Sequence, residues 1–281
     1  MVTYYTLTTC LFLTLCIYSP LFAEEPKSKL LLSLRHSHFA HDADSSRNLE
    51  KYPVKPTYDA TISHATTDPK LTSFLDQLAG LTISSLTIDG TKLTDSQSRK
   101  LTQIYASRLV VSNYELSEEF AKSIGGIQYG YLTLKQTRLS NPALSALLKG
   151  KMLIELEAEE VRGCSAEGWS ELSKLQRFSL QLTDCDFDDN ALVHLSSTGC
   201  DSLQLINTQI TGKTLGSLKT LRNLKKLSLS GGPIVDEGLL TLPELPELRE
   251  LDLSGTRITN DGFRNLVVPP RLFKIQWQIP W

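Results

Sequence analysis

Three groups of side chains have the types and spacing that could do chemistry. The first is the run RHSHFAHDAD, which brings together His36, His38, His41, Asp42 and Asp44. Imidazole and carboxylate are ligands for zinc or copper. A closed metal site needs a fixed ligand set on ordered backbone. This run sits among Ser, Asp and charged residues with Pro26, Pro53 and Pro56, a composition that reads as a flexible tether. No metal site is expected there. The second group is Glu155, Glu157, Glu159 and Glu160. Alternate residues of a strand face one way, so Glu155, Glu157 and Glu159 should project together, with Lys135 on the adjacent strand. A carboxylate row binds a cation or a basic partner, and the plain alternative is a solvated charged face. The third group is Cys164, Cys185 and Cys200. An odd count without CxxC spacing makes neither a disulfide framework nor a zinc site. Three small buried side chains are expected, although one pair could oxidise outside the cell.

Enzyme signatures are missing. The nearest approach to GxSxG is GCSAEG at Gly163–Gly168, whose spacing is wrong for a nucleophile elbow. There is no phosphate loop and no HExxH. His194, beside Leu195, is expected on an outward-facing helix as a surface or lining residue. No enzyme and no cofactor are implied.

The bulk composition narrows the partner. The net charge is -2, with 29 basic and 31 acidic residues, so no strong basic field exists to hold nucleic acid. Met1–Ala23 has no charged side chain, an apolar run from Cys10 to Tyr18, a break at Pro20 and a small residue at Ala23. This pattern reads as a signal peptide over 1–23. It is short for a spanning helix, so no membrane span is expected after cleavage. The expected location is secreted, periplasmic or cell-envelope.

The elements that must position these groups come from an internal repeat. KLSLSGGPIVDEGLLTL (Lys226–Leu242) superposes on ELDLSGTRITNDGFRNL (Glu250–Leu266) with an offset of 24. Stepping in both directions gives first-strand positions Leu86, Leu109, Leu132, Leu156, Leu180, Leu203, Leu227, Leu251 and Ile275, at intervals of 23 or 24. Each L-x-L pair is a short strand with both leucines on one side. An apolar residue follows five positions later, and then a residue able to cap a helix: Thr94, Ser117, Ser140, Ser165, Asp188, Thr211 or Thr259, with Val235 the exception. A later apolar pair pins the short helix to the core. One unit cannot bury its leucines, but a stack can.

These residues resemble the leucine-rich repeats of the ribonuclease-inhibitor-like, cysteine-containing type. The signature LxLxxTxIxDxGLxxL is seen at Leu253–Leu266 (LSGTRITNDGFRNL). The resemblance covers about residues 71–281 and implies about nine units of 23–24 residues. It implies an α/β solenoid, with a curved parallel sheet on the concave face and short helices on the convex face. It also implies that the slot three residues after the second leucine, holding Thr91, Thr137, Cys185, Thr208 and Thr256, bonds to backbone inside the turn.

Residues 24–70 lack the repeat and are expected to be flexible, with KLLLSL (Lys29–Leu34) able to form a short helix or strand. Leu71–Leu81 reads as a half repeat that covers the first strand. Phe273, Trp277, Ile279 and Trp281 are expected to fold over the far end of the stack, or else to form a docking patch. Strand alternation places Arg108, Tyr131, Lys135, Glu155, Glu157, Glu159, Gln181 and Gln204 on the concave face. That mixed surface suits a protein partner, or a glycan, through hydrogen bonds, with Tyr131 and Arg108 as anchors. The fold implies binding. Metal-handling or hydrolytic chemistry, or end-to-end structural assembly, are the alternatives.

Overall fold

The computed structural model describes residues 31–37, 57–63, 69–90 and 93–278. Their strands form one sheet whose spatial order follows the chain: β1 (Leu31–Ser37), β2 (Thr57–Ser63), β3 (Thr82–Asp89), β4 (Ala106–Leu116), β5 (Tyr131–Leu139), β6 (Glu155–Glu159), β7 (Ser179–Thr183), β8 (Ser202–Ile206), β9 (Lys226–Ser228), β10 (Glu250–Asp252) and β11 (Lys274–Gln276). Every pairing from β2 onward is parallel, and only β1 runs antiparallel to β2. The crossovers carry helices α1 (Pro69–Leu78), α2 (Asp95–Leu101), α3 (Glu118–Ile124), α4 (Asn141–Leu148), α5 (Ala166–Trp169), α6 (Asp189–Val193), α7 (Asp236–Leu239) and α8 (Asn260–Arg264).

The register follows the leucine arithmetic. Leu86 pairs with Leu109, Leu109 with Leu132, Leu132 with Leu156, and so on to Leu251 with Ile275. These leucines are buried, and helix side chains such as Leu144, Trp169 and Leu192 close over them. The core is therefore one continuous layer between sheet and helices, lengthened by each unit.

The sheet is longer than the repeat suggested. Residues 24–70 were expected to be flexible, yet β1 and β2 lie within them. Ala60 and Ile62 of β2 take the two core slots, opposite Leu86 and Ile88. The step from Ala60 to Leu86 is 26, and the first slot holds alanine, so the unit breaks both period and residue type. The helix α1 does pack Leu71, Leu75 and Leu78 into the core as expected, but β3 is an interior strand.

Eight units, from β3 to β10, bend at one fixed residue, two positions after the second core slot. Gly90, Asn113, Gln136, Glu160, Asp184, Asn207, Gly231 and Gly255 all have positive φ there. Glycine takes this conformation freely, Asn and Asp tolerate it, and Gln136 and Glu160 are strained. At three of the five slots that follow, the side chain bonds to backbone as the resemblance implied. Thr137 Oγ1 donates to Lys135 O at 2.8 Å, Cys185 Sγ to Thr183 O at 3.3 Å, and Thr256 Oγ1 to Leu253 O at 2.7 Å. Thr208 Oγ1 is buried without a partner, and Thr91 lies outside the described residues.

Five of the expected caps form. Thr94 and Gln97 make a reciprocal capping box, and Ser117, Ser140, Asp188 and Thr259 accept from the amides of Phe120, Ala143, Ala191 and Asp261. Ser165 and Thr211 do not cap. Asn141 of the preceding unit binds the Ser165 amide and hydroxyl. Asp189 likewise takes the amide and hydroxyl of Thr211, whose unit turns later through a 3-10 helix at Leu215–Thr220.

At the far end, Trp277 stacks on Phe263 with centroids 4.4 Å apart and rings 5° from parallel. Its Nε1 donates to Ile258 O at 3.4 Å. This is the expected covering of the stack. Phe273 instead points to solvent, and Ile279 and Trp281 lie outside the described residues.

Candidate functional site

The sheet face away from the helices is open, and its polar side chains stand in rows across the strands. Arg108 on β4 is the hub of one cluster. Its guanidinium carbon lies 4.9 Å from the centre of the Tyr131 ring on β5, a cation–π stack. Its Nη1 donates to Thr133 Oγ1 at 3.2 Å and reaches Glu155 Oε1 on β6 at 3.5 Å. Thr133 Oγ1 in turn donates to Glu157 Oε2 at 3.3 Å. Lys135 pairs with Glu159 at 3.3 Å. Further along, Gln204 Nε2 on β8 donates to Gln181 Oε1 on β7 at 3.2 Å.

All eight residues singled out from the sequence therefore sit on these strands. Six of them are linked across β4–β6, and Gln181, paired to Glu157 in register, leads on to Gln204. The carboxylate row differs from an open cation site. Glu155 and Glu159 each face a basic partner, which leaves Glu157 as the carboxylate answered only by a hydroxyl. Among the described residues no three His, Cys, Asp or Glu side chains gather as metal ligands. His36 lies on β1, and the rest of the histidine cluster lies outside the described residues.

Thr133 is the residue that the sequence reading underweighted. It points outward yet is buried, because Arg108, Tyr131 and Glu157 close over it. Its hydroxyl accepts from the arginine and donates to the carboxylate, so it orders both. The signal was a small polar residue in register with Glu157 and two positions from Tyr131 and Lys135 on its own strand.

The thiols are not poised for chemistry. Cys164, Cys185 and Cys200 are buried and unpaired. Burial pushes the pKa of Cys164 and Cys200 up to about 12 and that of Cys185 to about 11. Neutral thiols are poor nucleophiles. His194 is half-buried at the end of α6, with Leu195 in the core.

The family described as "Leucine Rich repeat" matches residues 220–242 and 245–267. The parallel ladder extends the same unit from there to β2. The fold is a leucine-rich-repeat solenoid. Its likeness to solved structures agrees. An internalin of Listeria monocytogenes superposes with a TM-score of 0.52 at 20% identity, over 73% of this chain and 57% of the internalin. Toll, in the Toll–Spatzle complex of Drosophila, superposes with a TM-score of 0.51 at 12% identity, over 78% of this chain and 30% of Toll. The solenoid thus spans little more than half of the one and under a third of the other. No curated protein matches the chain by sequence. Among the described residues no helix is long and apolar enough to cross a membrane.

Proposed function

We propose that this solenoid is a non-enzymatic binding module, secreted or held in the cell envelope, which takes a protein partner on its concave face. The observation that carries this reading is the Arg108–Tyr131–Thr133–Glu155–Glu157 cluster. It is preorganised by its own hydrogen bonds, half-exposed at Arg108 and Tyr131, and made of the residue types that anchor interfaces. Rigid anchors lose little entropy on binding. Toll, on a related fold, is found in complex with another protein. The uncharged leader Met1–Ala23 supports export. The Gln181–Gln204 amide pair favours a glycan as the second class of ligand, since planar amides meet sugar hydroxyls well.

The test is capture from an extracellular or envelope extract, followed by affinity measurement on the identified partner. Tyr131→Ala should weaken that partner by about 2 kcal/mol, roughly thirtyfold, as expected of an interface anchor. Glu155→Gln with Glu157→Gln and Glu159→Gln should weaken it less. A partner held equally by all variants would place its site away from this face and overturn the reading.

A further inference from the structure

The solenoid has two rims, and they differ in charge. The rim where chains leave the strands carries an acidic excess, densest at Asp184, Asp186, Asp188 and Asp189, although Arg138, Arg162, Lys213 and Arg257 also lie on it. The rim where chains enter the strands carries a basic excess, because its acids Asp201, Glu247 and Glu250 are already paired with Arg177, Arg271 and Lys274, and Glu244 lies there as well. Leu218–Lys226 (LKTLRNLKK) holds Lys219, Arg222, Lys225 and Lys226 and no acidic residue. Backbone bonds join this entry rim from unit to unit: Ile154 N to Gly130 O, Ser179 N to Ile154 O, Lys225 N to Asp201 O, Arg249 N to Lys225 O and Phe273 N to Arg249 O. At the spacing of neighbouring strands it runs roughly 29 Å.

Helix ends explain part of this pattern, because cations favour helix C-termini. Arg99, Lys100 and Lys122 sit in the last turns of α2 and α3. That account does not reach Arg222, Lys225 and Arg249, which lie in loops beyond short turns. All three are exposed, and among the described residues none makes an ion pair, while Arg177 and Arg271 do.

Large apolar side chains are exposed on the same rim, on either side of the cations. Met152 is 89% exposed, Ile154 55% and Tyr105 59%. At the other end Phe273 is 74% exposed, and Val267 and Val268 are 65% each. Single exposed apolar residues such as Leu240 occur elsewhere on the solenoid, and what sets these apart is that several share one rim.

We propose that this entry rim docks on an anionic lipid surface. The free cations meet headgroup phosphates, and the flanking Met152, Ile154 and Phe273 enter the boundary with the acyl chains. A hydrophilic anionic polymer would satisfy the cations but offers nothing to the apolar groups. The rim residues are distinct from Arg108, Tyr131, Glu155 and Glu157 of the proposed protein site, so separate variants test the two readings.

Sedimentation of the full chain with phosphatidylcholine vesicles, with and without phosphatidylglycerol, tests it. Wild-type protein should sediment with the anionic vesicles and weaken as salt rises. Each cation near such a surface contributes about fivefold, so Arg222→Ser with Lys225→Ser and Arg249→Ser should cost about a hundredfold. Met152→Ser with Phe273→Ser should also weaken binding, including at high salt. All variants keep the same N-terminus, so differences between them report the rim, and an unchanged melting temperature excludes unfolding. Equal binding to both vesicle types, or none, overturns the proposal. So does binding that ignores the apolar variant and is abolished by soluble polyglutamate, which would mark an acidic protein as the occupant.

Discussion

Units around α2–α4 and units around α5–α8 share one strand ladder but close their turns differently. In the first group each helix has seven or eight residues and is capped by a side chain of its own unit: Thr94, Ser117 or Ser140. In the second the helices shrink to four or five residues. Asp188 and Thr259 still cap α6 and α8, but the turns at Ser165, Thr211 and Thr259 are also held by a side chain of the preceding unit. Asp189 takes the amides and hydroxyls of Thr211 and Thr214. Asp236 takes the amide and hydroxyl of Thr259. A self-cap stabilises a unit whatever its neighbour does. A staple exists only when both units are folded, so it couples them. The D-x-G-L part of the repeat signature is this staple: Asp236 reaches forward, and a glycine such as Gly238 or Gly262 leaves space for close approach.

The largest expected break in this comparison is Gly238→Ala. Its new Cβ would lie 2.6 Å from Thr211 O and 2.9 Å from Gly212 Cα, both backbone atoms that cannot swing aside. Denaturant unfolding should show a loss of about 2–3 kcal/mol. Gly80→Ala, with nothing within 4 Å, should change stability by less than about 0.5 kcal/mol. If both cost the same, close unit-to-unit approach is not what the glycine serves.

Next in size is Asp189→Ala, at about 2 kcal/mol, because it strands two threonines at once. Ser117→Ala should cost about 1 kcal/mol, the worth of one cap. Combined with Thr211→Ala, the Asp189 change should be strongly non-additive, whereas Ser117→Ala and Ser140→Ala should sum. The staple also carries a pH signature. Burial works to raise the Asp189 pKa, but the Thr211 and Thr214 bonds outweigh it and hold the carboxyl below its usual range. A lowered carboxylate contributes stability above its unfolded pKa of about 3.9 and loses it as pH falls through the folded value. Melting temperature should therefore fall more steeply below about pH 4 in wild type than in Asp189→Asn.

The smallest effect tests one bend in each group. Glu160→Gly and Gln136→Gly relieve the two strained bends and should each raise stability by about 0.5–1 kcal/mol. A loss would mean that their side chains pack in ways that outweigh the strain.

Much of this was readable in the residues. The strand leucines are placed by period alone, because parallel strands in register demand a constant step. The side chains facing away from the core followed from alternation. What escaped was whatever left the period. β2 escaped because Ala60 is small and its step to Leu86 is 26. The silence of Ser165 and Thr211 as caps escaped because the competing partners, Asn141 and Asp189, come from another unit. In the candidate site, positions were legible but pairings were not. Arg108 reaches Glu155 past an intervening strand, across Tyr131 in register, and this depends on side-chain length. The entry rim is built from loops, which carry no periodic mark.

The constant step along the ladder also bears on how the chain finds its fold. Nearly every long-range pairing closes a loop of the same modest length, so no contact waits for distant ends to meet. Order can start at any well-capped pair of units and spread to either side. Force or denaturant would then peel the solenoid from its ends, with the stapled units leaving in groups and the self-capped ones singly.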